Sequence, residues 1–159
     1  MTKPLYTAQA RVTGGRQHGH GRTTDGALDI QLRPPKELGG DGGGTNPEQL
    51  FAIGYAACFE AAMLLAAQRA RIPVERVADA TIDAKVMLVP AGERALKLAV
   101  ELAVALPAVD DHEQAAEIVR IAHGICPYSN ATRGNVDVAL TVNGGCVLAS
   151  IREPERREP

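Results

Sequence analysis

A glycine-rich segment that leads into a long apolar segment constrains this chain more than any other part of its sequence. Five glycines lie between residues 39 and 44. Glycine has no side chain to pack and adopts backbone conformations closed to other residues, so this segment is expected to form a loop. Thr45, Asn46 and Pro47 follow, two N-cap candidates and a proline suited to the first helical turn. We therefore predict that a helix begins here.

The predicted helix carries a cysteine close to its buried face. Apolar residues recur at steps of three and four from Leu50 to Leu65, which is the spacing of a helix with one buried side. Cys58 lies on or beside that face, where a cysteine taken alone is most often a small buried hydrophobe. A second thiol, Cys126, ends another amphipathic segment. Folding could bring the two thiols together, which sequence separation alone does not show.

Alternation of apolar and polar residues predicts strands around two helices. Hairpins rather than crossovers are expected between most neighbouring strands, so the order of elements predicts an α+β fold. Asp110 or Asp111 is expected to cap the second helix and Pro127 to end it. The predicted strands lie near residues 5–12, 28–32, 80–88, 96–106, 136–142 and 146–151.

Composition narrows the class of protein. The sequence of 159 residues predicts one domain over residues 1–151, followed by a charged tail over residues 152–159. A net charge of −2, two Phe, three Tyr and no Trp argue against nucleic-acid binding. The absence of a basic-then-apolar leader and of a long uninterrupted apolar run predicts no membrane association. Three cysteines do not make a disulfide scaffold, and a cytoplasmic location is expected.

Three motifs together resemble those of the organic hydroperoxide resistance proteins, which belong to the osmotically inducible protein C (OsmC) superfamily. They are Gly14-Gly15-Arg16, ELGGDGGGTNPEQLFAIGYAACF at residues 37–59, and CPYSNATRGN at residues 126–135. The resemblance runs nearly end to end and implies an OsmC-like fold with antiparallel sheets and two main helices. It also implies an intertwined homodimer with active sites at the subunit interface, and thiol peroxidase activity in the response to oxidative stress.

The resemblance assigns four site residues. It implies that Cys58 attacks the peroxide, that Cys126 resolves the oxidised Cys58 as a disulfide, and that Arg16 and Glu48 form the charged pair that serves Cys58. The chemistry suits these residue types, because a thiolate is the nucleophile and a guanidinium stabilises it and the developing alkoxide. Glu48 and Cys58 are ten residues apart, about 15 Å along a helix and about 80° out of phase. Glu48 should therefore act through Arg16, unless the partner subunit supplies one member.

Substrate and reductant follow from the same resemblance. The expected substrate is an organic hydroperoxide, and the expected reductant is a dihydrolipoyl group, carried by a lipoylated protein or free as dihydrolipoamide. No bound cofactor or metal is expected. Apolar neighbours would favour a peroxide with a hydrocarbon tail, because burial of apolar surface contributes about 25 cal/mol per Å². The neighbours considered are Phe51, Ile53, Tyr55 and Met63.

Several alternatives remain open from the residues themselves. Glu48 could belong to a capping box at the helix start, and Arg16 could be a solvated turn residue. His18 with His20 could contribute to a metal site, although no third ligand follows nearby in sequence. His123 with Cys126 could do so together with Cys58, although Cys126 needs no metal to explain it. The alternative functions are a peroxidase of broader specificity, a non-catalytic redox sensor and a cysteine acyl-transfer enzyme.

Overall fold

The computed structural model describes residues 3–92 and 95–148. The chain divides into two compact units, residues 1–50 and 51–159. The single domain over residues 1–151 stays a prediction. The charged tail over residues 152–159 and the end of the last predicted strand, residues 149–151, lie outside the described residues.

The first unit contains a three-stranded antiparallel sheet in the order β1-β2-β3. The sequence predicted two strands here, and the middle strand was missed. Its residues, GHGRT, lack the apolar alternation that predicts a strand. Backbone hydrogen bonds to the neighbouring strand on each side stabilise this strand, although its side chains do not alternate between apolar and polar. The strands are β1 (Ala10–Thr13), β2 (Gly19–Thr23) and β3 (Asp29–Leu32), and a short 3-10 helix covers Lys36–Leu38.

The helix α1 (Pro47–Arg69) begins where the sequence predicted. The side-chain oxygen of Asn46 accepts a hydrogen bond from the backbone N–H of Gln49 at 2.9 Å, and the backbone N–H of Asn46 donates to the Gln49 side chain at 3.1 Å. These reciprocal bonds satisfy groups that a helix start leaves without partners. The capping box therefore uses Asn46 and Gln49, and the Glu48 carboxylate is available for another partner.

The second unit contains a four-stranded sheet in the order β4-β5-β6-β7. The antiparallel pairing that the sequence predicted holds for β4–β5 and β6–β7, whereas β5 and β6 run parallel. Parallel neighbours need a crossover connection, and the helical segment between these strands supplies it. The strands are β4 (Thr81–Pro90), β5 (Leu96–Ala105), β6 (Asp137–Val142) and β7 (Gly145–Leu148), and a short 3-10 helix covers Val74–Val77.

The crossover consists of two helices rather than the single one predicted. The helix α2 (His112–Ile125) is capped by Asp111, whose carboxylate accepts a hydrogen bond from the backbone N–H of Gln114 at 3.0 Å. Cys126 then adopts an extended backbone conformation, with φ −62° and ψ 125°, and the short helix α3 (Pro127–Thr132) follows. Pro127 ends α2 as predicted but also begins α3, because its fixed φ suits a first helical turn.

The core of the second unit lies among α1, α2 and the sheet. Tyr55, Phe59 and Met63 of α1 are fully buried with Ile118 of α2 and Leu140 of β6. By length and composition α1 could also cross a membrane, with a mean hydropathy of 1.8. This is a weak indication, since core helices of soluble proteins meet the same criterion, and the expected lack of membrane association stays a prediction.

Candidate active site

The two cysteines of the second unit lie in contact. Cys58 is on the fourth turn of α1, and Cys126 is the junction residue between α2 and α3. Their Sγ atoms are 3.4 Å apart although 68 residues separate them in sequence. Cys58 is half-buried, whereas Cys126 is fully buried. A disulfide has an S–S length of about 2.0 Å, so a small movement would allow the pair to close.

The surroundings of Cys58 act on its ionisation in opposite directions. Burial raises the pKa of the Cys58 thiol above its ordinary value, and the backbone N–H of Tyr128, which donates to the sulfur, lowers it. The neighbouring Cys126 sulfur raises the pKa further. The contact between the two sulfurs therefore opposes formation of a thiolate at Cys58.

Three aromatic rings pack together on α1 and α3, close in sequence to the two cysteines. Phe51, Tyr55 and Tyr128 have ring centroids 5.6 to 5.9 Å apart, within the range of favourable aromatic contacts. Gly54 allows this packing, because a Cβ at that position would lie 2.8 Å from the Tyr128 hydroxyl oxygen. A larger residue at position 54 would force the Tyr128 ring to move.

The four apolar residues considered as substrate contacts differ in exposure. Tyr55 and Met63 are fully buried in the core, and Phe51 is partly buried against it. Ile53 is 69% exposed. Phe51 is therefore the member of this set that combines a position beside the aromatic cluster with partial exposure.

The charged pair predicted from the resemblance is present in the first unit. One guanidinium nitrogen of Arg16 donates to a carboxylate oxygen of Glu48 at 2.5 Å. The Glu48 side chain is 16% exposed and that of Arg16 is 41% exposed. Glu48 thus takes no part in the capping box, and Arg16 is not a solvated turn residue without a partner.

The turn between β1 and β2 presents Arg16. Gly14 has a φ of +71°, a left-handed conformation that favours glycine. A Cβ at Gly19 would lie 1.8 Å from the carbonyl oxygen of Gly15, so glycine is required where the turn enters β2. The close approach of these backbone segments holds Arg16 at the tip of the turn.

His18 and His20, which the sequence offered as metal ligands, lie at the β1–β2 turn and on β2. The ring of His20 hydrogen-bonds to Asp29 at 2.5 Å. Within residues 3–92 and 95–148, no three His, Cys, Asp or Glu side chains lie close enough together to hold a metal ion.

His123, one turn before Cys126 on α2, has an unusual environment. Its Nδ1 is buried and has no hydrogen-bond partner among the described residues. Burial lowers the pKa of His123 from 6.5, and the positive charge of Arg133 lowers it further. A histidine with a lowered pKa in the folded state stabilises the fold above pH 6.5. That contribution is lost as the pH falls through the folded-state value.

We expect His123→Gln to reduce the acid sensitivity of the protein, because glutamine does not titrate. The measurement is the urea midpoint of unfolding on each side of pH 6.5. Between the two conditions the wild type should lose more stability than the variant. His18→Gln, at an exposed histidine, is the control and should behave as the wild type. Equal losses in His123→Gln and wild type would contradict the assigned cause.

From the sequence alone, no role was assigned to Ser129 and Thr132, the two buried polar partners of Tyr55. The hydroxyl of Tyr55 lies 3.0 Å from Ser129 Oγ and 3.3 Å from Thr132 Oγ1, and all three side chains are buried. Ser129 and Thr132 are three residues apart and follow Cys126 closely, which is the signal that could have pointed to them. Without knowledge of α3, that spacing had no structural meaning.

Comparisons with known proteins agree with this architecture. Residues 40–141 match the family model of the OsmC-like proteins. An organic hydroperoxide resistance protein of Xanthomonas axonopodis pv. citri is 49% identical over 143 residues, which are 88% of this chain and 96% of that protein. The organic hydroperoxide resistance protein OhrA of Bacillus subtilis is 41% identical over 147 residues, 89% of this chain and 99% of that protein.

Comparison with solved structures identifies the same group of proteins. A crystal structure of an organic hydroperoxide resistance protein from Legionella pneumophila has a TM-score of 0.81 and 48% sequence identity. The match covers 88% of this chain and 98% of that chain. The chain therefore belongs to the OsmC family, and within it to the organic hydroperoxide resistance proteins.

Proposed function

We propose that this protein is a thiol peroxidase that reduces organic hydroperoxides to alcohols, with Cys58 as the nucleophile and Cys126 as the resolving thiol. The single observation that carries the proposal is the 3.4 Å separation of the two Sγ atoms. A half-buried thiol in contact with a buried one suits a reaction in which the first is oxidised and the second closes a disulfide. The names of the relatives supply the substrate class.

The proposed reaction has two oxidative steps. The Cys58 thiolate attacks the terminal peroxide oxygen, the O–O bond breaks, and the alkoxide takes a proton and leaves as an alcohol. Cys58 then carries a sulfenic acid. Cys126 attacks that sulfur, the S–O bond breaks, and hydroxide takes the Cys126 proton and leaves as water. The resulting disulfide protects Cys58 from further oxidation.

Arg16 and Glu48 are proposed to assist the first step. A guanidinium can stabilise the thiolate and then the alkoxide charge that develops as the O–O bond breaks. The ion pair between Arg16 and Glu48 supports this role, because the carboxylate fixes the direction of the guanidinium. The chemical role of Glu48 is therefore exerted through Arg16.

The proposed reductant is a dihydrolipoyl group, on a lipoylated protein or as dihydrolipoamide, and no bound cofactor is required. Such a dithiol attacks the Cys58–Cys126 disulfide and leaves as its own cyclic disulfide, so that both cysteines return to thiols. A carrier of this kind is apolar, which suits the aromatic cluster on α1 and α3. Reliance on free thiols agrees with a cytoplasmic location, where thiols stay reduced.

A homodimer completes the proposal. Ile53, Leu64 and Leu65 on α1 are between 44% and 69% exposed in a single chain. An apolar patch of this kind on a helix is typical of an interface between subunits. We propose that a second copy covers it, without nucleic acid or a membrane as a partner.

Two other functions suit the same pair of cysteines. A broader OsmC-type peroxidase would consume hydrogen peroxide as fast as organic peroxides. A redox sensor would oxidise Cys58 without turnover. The relatives, which are organic hydroperoxide resistance proteins, favour the organic substrate over the first alternative.

The test is steady-state consumption of cumene hydroperoxide by the wild type under excess dihydrolipoamide. We expect repeated turnover and a kcat/KM for cumene hydroperoxide about tenfold or more above that for hydrogen peroxide, since the additional apolar surface contributes to binding. Glutathione in place of dihydrolipoamide is the reductant control and should support little turnover. Equal rates for the two peroxides would favour the broader enzyme, and a single turnover would favour the sensor.

A further inference from the structure

A buried hydroxyl network joins the two helices that carry the cysteines. Tyr55 lies on α1, three residues before Cys58, and its side chain is fully buried. Its hydroxyl lies within hydrogen-bond distance of Ser129 and Thr132 on α3, the helix that begins directly after Cys126. The network thus connects the neighbourhood of one cysteine to that of the other.

The hydrogen atoms of this network can be assigned by counting donors. Thr132 Oγ1 lies 2.9 Å from the Tyr128 carbonyl oxygen and 3.2 Å from the Ser129 carbonyl oxygen, and its single hydrogen is donated to these backbone acceptors. Towards Tyr55 it can therefore act as an acceptor, so the Tyr55 hydroxyl donates to Thr132. In this arrangement Ser129 donates to the Tyr55 oxygen. The chain of donors runs from Ser129 through Tyr55 and Thr132 to the backbone carbonyl oxygens of Tyr128 and Ser129.

That chain ends at the backbone of Tyr128, two residues after Cys126. The carbonyl oxygen of Tyr128 accepts from Thr132, and Cys126 Sγ lies 3.4 Å from Cys58 Sγ. The Tyr55 ring also packs on the Tyr128 ring, with centroids 5.6 Å apart. Tyr55 thus contacts Tyr128, which follows Cys126 by two residues, through its ring and, by way of Thr132, through its hydroxyl.

We propose that Tyr55 is a positioning residue for disulfide formation, because its hydroxyl holds α3 against α1 and keeps the Cys126 sulfur within reach of Cys58. The inference rests on the proposed function. The hydroxyl touches neither sulfur and acts through Ser129 and Thr132. Attack of one sulfur on another requires close approach along one direction, and a displacement of about 1 Å can slow such a step by about a hundredfold.

Loss of the Tyr55 hydroxyl should slow disulfide formation and leave the attack on the peroxide unchanged, because the two steps need different groups. The first step needs Cys58 and the peroxide, and it does not require Cys126 to be in place. The second step needs both sulfurs in the geometry that α3 provides. Loss of the Tyr55 hydroxyl also leaves Ser129 Oγ, which is fully buried, without the partner it has in the structure. An unsatisfied buried hydroxyl favours rearrangement of the segment that carries it.

The experiment compares Tyr55→Phe with the wild type in single-turnover oxidation by cumene hydroperoxide. Peroxide consumption gives the rate of the first step, and alkylation of quenched samples followed by mass spectrometry gives the rate of disulfide formation. We expect the first rate to change by less than about twofold and the second to fall by roughly tenfold or more. Cys58 should also accumulate as sulfinic acid at lower peroxide concentrations.

Controls separate positioning from a general loss of structure. Tyr6→Phe, at an exposed tyrosine, should match the wild type in both rates. The double variant Tyr55→Phe with Cys126→Ser should form no more sulfinic acid than Cys126→Ser alone. The reason is that Cys126→Ser already lacks disulfide formation, the step that Tyr55→Phe slows. An unchanged disulfide rate in folded Tyr55→Phe, or an equal slowing of both steps, overturns the proposal.

A second variant covers the case in which Tyr55→Phe fails to fold. Ser129→Ala removes the partner hydroxyl with a smaller change in volume, and it should slow disulfide formation in the same selective way. Circular dichroism checks that each variant is folded. An unchanged disulfide rate in folded Ser129→Ala then overturns the proposal.

An oxidant other than peroxide distinguishes this inference from the proposed function. Diamide accepts two electrons and two protons from a pair of thiols and leaves a disulfide, without any peroxide chemistry. If the wild type consumes no peroxide but diamide joins Cys58 to Cys126 more slowly in Tyr55→Phe, the proposed function fails and the positioning role stands. If peroxide is consumed and both variants close the disulfide at the wild-type rate, the positioning role fails alone.

Discussion

Cys58→Ser is expected to abolish consumption of organic hydroperoxides, the largest effect of any single substitution in this chain. A serine hydroxyl does not ionise near neutral pH and is a poor nucleophile towards the O–O bond, whereas a thiolate attacks it well. Cumene hydroperoxide consumption under excess dihydrolipoamide should therefore fall to the background rate. Retention of activity by Cys58→Ser would contradict the central assignment.

Cys126→Ser should lose turnover in a different way. Its Cys58 still attacks the first peroxide molecule, but the serine cannot displace hydroxide from the sulfenic acid. Excess peroxide then oxidises Cys58 to sulfinic acid, which mass spectrometry detects as a gain of two oxygen atoms. Cys146→Ser is the matched control, because Cys146 is an exposed thiol on the edge strand β7 and should be dispensable.

Arg16→Ala is expected to have the next largest effect. Loss of one donor that stabilises developing negative charge lowers kcat by about 10² to 10³-fold in comparable sites. Arg16→Lys should recover only part of the activity, since an ammonium keeps the charge but lacks the planar set of donors. The measurement is kcat/KM for cumene hydroperoxide together with the rate of Cys58 alkylation, which reports on the thiolate.

Glu48→Gln tests whether the carboxylate acts through the guanidinium. It should lower kcat/KM by a smaller factor than Arg16→Ala, and it should add little when combined with Arg16→Ala. Arg11→Ala, at an exposed arginine on β1, is the control for loss of positive charge. Because the Arg16 side of this ion pair faces solvent, the pair is expected to contribute about 1 kcal/mol or less to stability, and unfolding midpoints should change little. Full additivity of the two losses would contradict a shared role.

Local signals in the sequence were sufficient for the elements that carry the site. The start of α1 follows from Asn46 and Pro47, and the two long strands β4 and β5 follow from alternation over ten residues each. Asp110 or Asp111 was predicted to cap the second helix, and Asp111 does so. Each of these features depends on steric contacts or hydrogen bonds within a few residues. It can therefore be predicted from the local sequence.

Local sequence signals did not predict the features that depend on pairing between distant segments. The strand β2 has no apolar alternation and exists because two neighbours bond to it. Whether Glu48 belonged to the helix cap or to Arg16 was also open, since both arrangements satisfy a carboxylate. The short helix α3 was missed because a proline ends one helix and begins the next with the same fixed φ.

The sequence by itself determined the helix that presents Cys58, the glycine turn that presents Arg16 and the pair of thiols available for chemistry. Only the tertiary structure decided that Cys58 and Cys126 touch, that β5 and β6 run parallel, and that Tyr55 joins α1 to α3. The physical reason is distance along the chain. Local conformation is set by neighbouring residues, whereas contacts across 68 to 77 residues depend on how the whole core packs.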